Sequence, residues 1–461
     1  MLFSSLEFIF LFLPLTLGIY YISPDRYKNF IIFLAGIVFY AFGEIKLLPI
    51  LLLTILTTFV FGIFIEKSVK SQKSRIAKIL LLLSVLFDLS VLAYFKYFDV
   101  FQSFILKREL IGIVLPIGIS FYTFQAISYL ADLYKGEVRA SKSIIDFGAY
   151  ILLFPQLIAG PIVKYSDIEQ QLKSRSFSLS LFACGLRTFI AGLAKKVILA
   201  NGAGSIFESL IGSESYLGSL LIVFFFGMQI YFDFSGYSDM GVGLGRMLGF
   251  ELVQNFNYPY ISKSVSEFWR RWHISLSSFF KEYVYIPLGG SRCGKLKTLF
   301  NICVVWALTG LWHGAALNFV LWGVYFAVLL IFEKLVFASF LSKIHVAFQR
   351  IYSLFFIFMG WLIFASDGIN IDPSYGMSVF LRIIFPFNVS FATSEELYLF
   401  VGAIPFIFIL TIGSTPFVRR SYLVLKEKIK PLESILPLCA FIISVAYCVS
   451  SGYNPFLYFR F

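Results

Sequence analysis

The sequence predicts an all-α polytopic membrane protein, and three observations predict it. Of 461 residues, 59% are hydrophobic and only 14% are charged, against about 25% charged in a soluble globular chain. Mean hydropathy is +0.85, more apolar surface than one core can bury, so part of the solvent is lipid. The apolar residues come in long runs, not in the short alternating strands of a transmembrane barrel. Those runs fall near 4–22, 30–43, 47–65, 79–98, 110–133, 144–160, 181–200, 215–232, 299–318, 320–337, 348–365, 398–413 and 434–450. A full span takes about 20 residues, so the shorter runs are re-entrant or tilted, and about 11 to 13 membrane segments are expected. No linker, low-complexity tract or repeat interrupts them, which predicts a single membrane domain over 1–461.

The first run, "MLFSSLEFIFLFLPLTLGIYYIS", has no basic n-region and no small-x-small cleavage site, so it reads as a span and not as a cleaved signal. Arg26 and Lys28 follow it, which places the N-terminus outside and residues 23–29 inside. Two helices later comes "EKSVKSQKSRIAK" (66–78), with five basic residues and one acid, and two further helices lead to the basic "YKGEVRASK" (134–142). This alternation is self-consistent through residue 142. "FPQLIAGPIV" (154–163) carries two prolines and a glycine and reads as a re-entrant turn, a shape tolerated at membrane depth only where protein or water covers it.

Residues 255–297 differ in kind, with seven basic residues and two acids. Val265, Phe268, Trp272, Leu276, Phe279 and Tyr283 recur at helical spacing, and Arg270, His273, Ser277 and Lys281 form a second stripe. The pattern predicts an amphipathic helix near 264–285, either flat on the inner leaflet or lining a cavity for an anionic ligand. The net charge of +12 suits loops facing anionic lipid, and nucleic acid is not expected as a partner. The five cysteines show no C-x-x-C and read as small core residues, with Cys293 in a basic loop.

Three histidines are present. His345, in "SKIHVAF", is loop-like and receives no role. His313 lies in the uncharged run "LTGLWHGAALNFVLWG" (308–323), near mid-depth if its span begins near residue 300. An ionisable group there is a functional candidate by default, and the bland alternative is a histidine bridging two helices. Gly310, Gly314, Ala315 and Ala316 are small enough for a helix or a substrate tail to come close, and Trp312 supplies a rigid wall. Histidine is the natural base near neutral pH, placed here to take a proton from a hydroxyl that attacks a thioester. No G-x-S-x-G elbow, H-E-x-x-H or Cys/His metal cluster is present. A second polar group, Asp233, Ser235, Tyr237, Asp239 and Arg246, interrupts the apolar run 228–250, and the aspartates are expected to pair with arginines, Arg246 among them. No strand precedes "GVGLGRMLG", so its glycines read as packing positions or a helix break, not as a nucleotide loop.

Taken together, "EFWRRWHISLSSFFKEYVYIPLGGSR" and "GLWHGAALNFVLWG" resemble the membrane-bound O-acyltransferase family, and its bacterial alginate O-acetylase-like branch in particular. "GISFYTFQAISYLADLYKG" (118–136), 154–163, 231–250 and the ending "NPFLYFRF" (454–461) resemble the same branch. The likeness runs the length of the chain and is strongest over 118–323. It implies a ring of tilted helices around a central tunnel. It maps the family's presumed catalytic histidine onto His313 and a second histidine onto His273. It further implies a cytoplasmic acyl thioester (acetyl-CoA or an acyl carrier protein) as co-substrate, with no bound cofactor. The acceptor is a polysaccharide or an extracytoplasmic acetyltransferase, and the location is the bacterial cell membrane. On this scheme Arg270, Arg271 and Lys281 hold the donor, while Gln125, Asp233, Ser235, Tyr237, Asp239, Trp312 and Asn318 form the tunnel or its polar network. The alternatives are D-alanyl transfer to teichoic acid from a carrier protein, a transporter or flippase of an envelope precursor, or a scaffold of an exopolysaccharide complex.

Overall fold

The computed structural model describes residues 1–461 except 105, 106, 108–110, 159, 176, 369, 452–456 and 458–461. Of the family-like ending, only Leu457 is therefore described. The helices in chain order begin with α1 (Leu13–Ile22), α2 (Lys28–Glu44), α3 (Leu48–Lys70), α4 (Ser74–Phe104), α5 (Ile119–Lys135), α6 (Ile144–Ile151), α7 (Phe154–Leu157) and α8 (Tyr165–Lys173). They continue with α9 (Leu179–Ala194), α10 (Asn201–Leu210), α11 (Tyr216–Met247), α12 (Val265–Arg271), α13 (Ile274–Phe280), α14 (Lys295–His313) and α15 (Leu317–Phe332). The last are α16 (Ala338–Leu341), α17 (Val346–Ala365), α18 (Pro373–Ile384), α19 (Ser394–Gly413), α20 (Phe417–Lys428) and α21 (Leu432–Ser451). No strand occurs among the described residues.

Seven stretches are long and apolar enough to cross a membrane, by length and composition. They are Asp25–Lys70, which holds both α2 and α3, Ser74–Ser103, Tyr216–Met247, Leu317–Leu341, Val346–Ala365, Ser394–Gly413 and Leu432–Ser450, with Phe8–Ile22 as a shorter apolar stretch. The protein is thus an all-helical, multi-pass membrane protein. The other apolar runs of the sequence fold as helices too short or too polar to cross alone, such as α5, with 17 residues, and α9, with 16. Tyr216–Met247 stands apart. Its most apolar window is 83% buried in protein, against 6–33% in the other six, so this helix is core and the others show apolar faces outward.

Two compact units form: Met1–Phe189 with Tyr237–Gln254, and Ile190–Gly236 with Asn255–Phe461. In the first, the motif 118–136 is one whole helix with both caps. Gly118 and Gly136 adopt the left-handed conformation at its two ends (φ 74° and 76°). Gly136 closes the C-terminus with its N–H on Leu133 and the Glu137 N–H on Asp132, the ending that glycine favours. The 154–163 segment is the short α7, with Phe154, Gln156 and Leu157 fully buried, as expected of an interrupted helix that protein covers. The glycines of 241–245 lie within the unbroken α11, where a Cβ on Gly243 would stand 2.6 Å from the Gly185 carbonyl, so they serve packing.

The second unit corrects the amphipathic helix expected over 264–285. The chain there is α12, a break at Trp272–His273, α13 and a π-helical turn at Lys281–Tyr285. The apolar stripe survives, because Val265, Phe268, Trp272, Leu276 and Phe279 are all buried. The polar stripe does not. Arg270 and Lys281 are exposed, Arg271 is half-buried, and His273 turns inward with 1% of its surface exposed.

Candidate active site

The break that turns His273 inward is held from outside its own helices. The Arg271 carbonyl accepts the Asn257 N–H at 2.9 Å, and the Ile274 N–H donates to the Asn255 carbonyl at 3.0 Å. The Asn255 side-chain oxygen accepts both the Ser275 N–H (3.0 Å) and the Ser275 hydroxyl (2.7 Å). Backbone groups released by the kink thus find partners in 255–257, without which a buried break would be costly. His273 itself sits at φ 44°, ψ 55°, a left-handed conformation that costs a side-chain-bearing residue about 1–3 kcal/mol. Neither of its ring nitrogens has a hydrogen-bond partner. Burial pushes its pKa down to about 3, so it acts as a neutral imidazole.

The start of α12 is anchored just as firmly. Ser264 accepts the Glu267 N–H at 3.0 Å. The buried Glu333 carboxylate, from the next turn beyond α15, accepts the Val265 N–H (2.6 Å), the Ser266 N–H (2.9 Å) and the Ser266 hydroxyl (2.6 Å). A carboxylate at a helix N-terminus satisfies donors the helix cannot and meets its dipole favourably.

His313 is the last residue of α14, and Gly314–Ala316 turn the chain directly into α15. The two helices touch backbone to backbone. A Cβ on Gly310 would stand 2.4 Å from the Phe319 carbonyl, and one on Gly323 2.5 Å from the Trp306 carbonyl. Asn318 fixes the turn, donating to the Phe364 carbonyl at the end of α17 (3.0 Å), while its own side-chain oxygen lacks a partner. Around the buried His313 ring stand Trp312, Trp322 and Phe364, with centroids at 4.9, 5.0 and 5.2 Å.

The two histidines, far apart in sequence, share a neighbour. The Trp312 ring lies 4.9 Å from His313 and 6.0 Å from His273, whose other side meets the Phe234 ring edge-on at 4.7 Å. From His313 a chain of rings continues through Trp322 to Trp306 (5.7 Å) and Trp269 (5.4 Å), and Trp361 joins Trp272 at 4.6 Å. All six tryptophans of the chain belong to this one cluster. Their confinement to 269–361 was a signal in the sequence that the reading by histidines and charges passed over. The Trp322 and Trp269 indole N–H groups are buried without a partner. Trp306 also lines a cavity of about 530 Å³, whose rim carries Lys263, Lys334, Ser264, Ser266 and Glu333.

The remaining predicted residues are placed as follows. Arg271 is engaged by Glu267 (2.8 Å) and the Asn257 carbonyl (3.0 Å), and neither it nor Arg270 nor Lys281 lines that cavity. Asp233 pairs with Lys196 (2.5 Å) and accepts the Leu457 N–H (2.7 Å), so its cation is a lysine and not the expected arginine. Arg246 instead donates to the Thr188 hydroxyl at 3.2 Å. Ser235 is buried in the second unit with its hydroxyl unpartnered. Tyr237, stacked on Phe3 at 4.6 Å, belongs to the first unit with Asp239 and Gln125. His345 caps α17, its Nδ1 accepting the Ala347 N–H.

Comparison with known proteins decides the family. The model of the membrane-bound O-acyltransferase family matches residues 34–370, most of the chain and all of the tryptophan cluster. The chain belongs to this family. It is 39% identical over 390 residues to a probable alginate O-acetylase of Azotobacter vinelandii, covering 82% of this chain and 77% of that protein. It is 33% identical over 411 residues to a peptidoglycan O-acetyltransferase of Helicobacter pylori, covering 80% and 78%. To a teichoic acid D-alanyltransferase of Bacillus subtilis it is 30% identical over 235 residues, covering 47% and 60%. This member of the O-acyltransferase family is therefore a membrane O-acyltransferase, as its motifs led one to expect.

Proposed function

We propose that the enzyme moves an acyl group, acetyl by preference, from a cytoplasmic thioester to a hydroxyl on the outer side of a bacterial cytoplasmic membrane. The single observation that carries this reading is the chain of rings that joins the lysine-rimmed cavity to both histidines. Lys263 and Lys334 give the cavity a cationic rim suited to the phosphates of coenzyme A or of a carrier protein's arm. Its apolar interior, with Trp306, suits the acyl-bearing end. Basic residues at 292–297 favour an inner position for this mouth by charge, and Arg26 and Lys28 favour an outer N-terminus. This gives the cavity's lysines the role that the sequence had suggested for Arg270, Arg271 and Lys281. Exchanging both lysines for glutamate is expected to raise the donor's KM at least tenfold while kcat changes little. An unchanged KM would send the donor elsewhere.

In the reaction His313 takes the proton of the acceptor hydroxyl as its oxygen attacks the thioester carbonyl. The C–S bond breaks, and the proton returns from the imidazolium to the departing thiolate. His273, neutral, and the Trp322 indole N–H are the unpartnered donors available to the carbonyl oxygen as charge develops there. The acceptor is a polysaccharide hydroxyl or that of an extracytoplasmic acetyltransferase. Two relatives carry acetyl in their names, which supports acetyl over D-alanyl.

The test is transfer by the whole protein in liposomes, with labelled acetyl-CoA, and separately a labelled D-alanyl carrier protein, on the donor side. Label reaching an outer saccharide or partner protein from acetyl-CoA is expected. Label from the carrier alone would move the reading to D-alanyl transfer. Passage of an intact solute without thioester consumption would contradict it.

A further inference from the structure

The first unit holds a polar cluster that the acyl-transfer chemistry does not use. Tyr40 on α2, Thr58 on α3, Asp88 on α4, and Tyr122 and Gln125 on α5 are each at most 3% exposed. One oxygen of each, in a Tyr, Thr, Asp, Tyr and Gln side chain respectively, has no hydrogen-bond partner, so none of the five bonds another. They are neighbours nonetheless. A Cβ on Gly62 of α3 would touch the Tyr129 ring of α5 at 2.8 Å, and Thr58 and Gln125 stand one turn before these two on their own helices. The Tyr122 hydroxyl is within electrostatic reach of Tyr40, Glu44 and Asp88.

Asp88 lies in a stretch apolar enough to span the membrane, and among the described residues no cation faces it. Lys96 is eight residues further along α4, about 12 Å away by helical rise. Glu44, the other carboxylate nearby, accepts the Ile117 N–H at 2.9 Å and faces the Met1 ammonium, which matches its charge. A buried carboxylate without a cation and four unsatisfied polar side chains are too costly to leave as they stand, so something bridges them. What bridges them meets oxygens from every side and neutralises one negative charge. A divalent ion would leave an excess positive charge beside Asp88, and an anion would meet the Asp88 carboxylate.

We propose that Tyr40, Thr58, Asp88, Tyr122 and Gln125 form an intramembrane site for one monovalent metal cation, sodium or potassium. Gln125 belongs to the helix that the sequence singled out by its motif, and this site gives its amide a purpose separate from acyl transfer. Asp88 supplies the charge. The hydroxyls and the amide carbonyl supply neutral oxygens in place of the ion's water.

The experiment is thermal unfolding of the full-length protein in detergent, followed by helical circular dichroism. Sodium chloride and potassium chloride are compared with choline chloride at equal ionic strength. One of the metal salts is expected to raise the melting temperature saturably, by about 2–4 °C, for wild type. Asp88→Asn keeps the side chain's shape and removes its charge. It is expected to melt at least as high as wild type in choline and to lose the response, while Tyr122→Phe shifts the midpoint to higher salt. Equal melting of wild type in all three salts would overturn the proposal and leave Asp88 a protonated acid among buried waters. A metal response that persists undiminished in Asp88→Asn would overturn it too. Both readouts are independent of acyl transfer.

Discussion

His313 and His273 reach the same tryptophan by opposite means. His313 ends a regular helix, and what places it is close packing: Gly310 and Gly323 let α14 and α15 touch, and the chain turns at once. His273 sits in a break between two seven-residue helices, and what places it is a set of hydrogen bonds from Asn255 and Asn257. One histidine is positioned by local sequence, the other by bonds between residues 14 to 20 apart in the chain. The lesson is that a histidine on a packed hairpin is held stiffly, while one on a bonded kink carries backbone strain and depends on each bond.

The comparison can be broken first on its packed side. Gly310→Val would drive a side chain into the Phe319 carbonyl, with no flexible neighbour to give way. A loss of about 3 kcal/mol is expected, enough to remove most folded protein from the membrane, read as yield of monodisperse protein in detergent. Wild-type yield would mean that the hairpin is not set by this contact.

Glu333→Ala tests the anchor of the kinked side. It strands the Val265 and Ser266 N–H groups, both bonded to that carboxylate. A loss of about 2–3 kcal/mol is expected in thermal unfolding, with Glu333→Gln recovering part of it. Identical melting of the alanine and glutamine variants would show that the carboxylate does not hold α12.

Asn255→Ala is the smaller and sharper probe. It removes the acceptor of both Ser275 bonds and costs about 1–2 kcal/mol. Acyl transfer is expected to fall about tenfold beyond the loss of folded protein, because the His273 ring is no longer fixed. Activity that tracks folded protein alone would leave the kink without a role in transfer.

The same contrast explains how much was legible beforehand. The membrane class followed from composition and long apolar runs. The α5 helix was legible as an apolar run near 110–133 and as a motif over 118–136, but its ends, set by glycine at 118 and 136, were not marked beforehand. His313 and its small neighbours could be placed because one helix and one turn suffice. The break at Trp272–His273 could not, because α12 and α13 carry a continuous helical apolar pattern and the residues that pay for the kink lie upstream. Asp233 was recognised as needing a cation, yet Lys196, 37 residues earlier, is brought to it only by the fold. Arg271 was expected to hold the donor, but Glu267, one turn earlier, engages it. The cavity rim draws Lys263 and Lys334 from segments that no spacing rule connects.

The most direct test of the central claim is acyl transfer by His313→Ala. Wild type and variant are compared in liposomes at matched amounts of folded protein, with labelled acetyl-CoA and an outer acceptor. The account predicts that label on the acceptor falls by about 10²–10⁴-fold while melting changes little, as for loss of a general base. Equal label from both proteins would return His313 to a structural role and contradict the account.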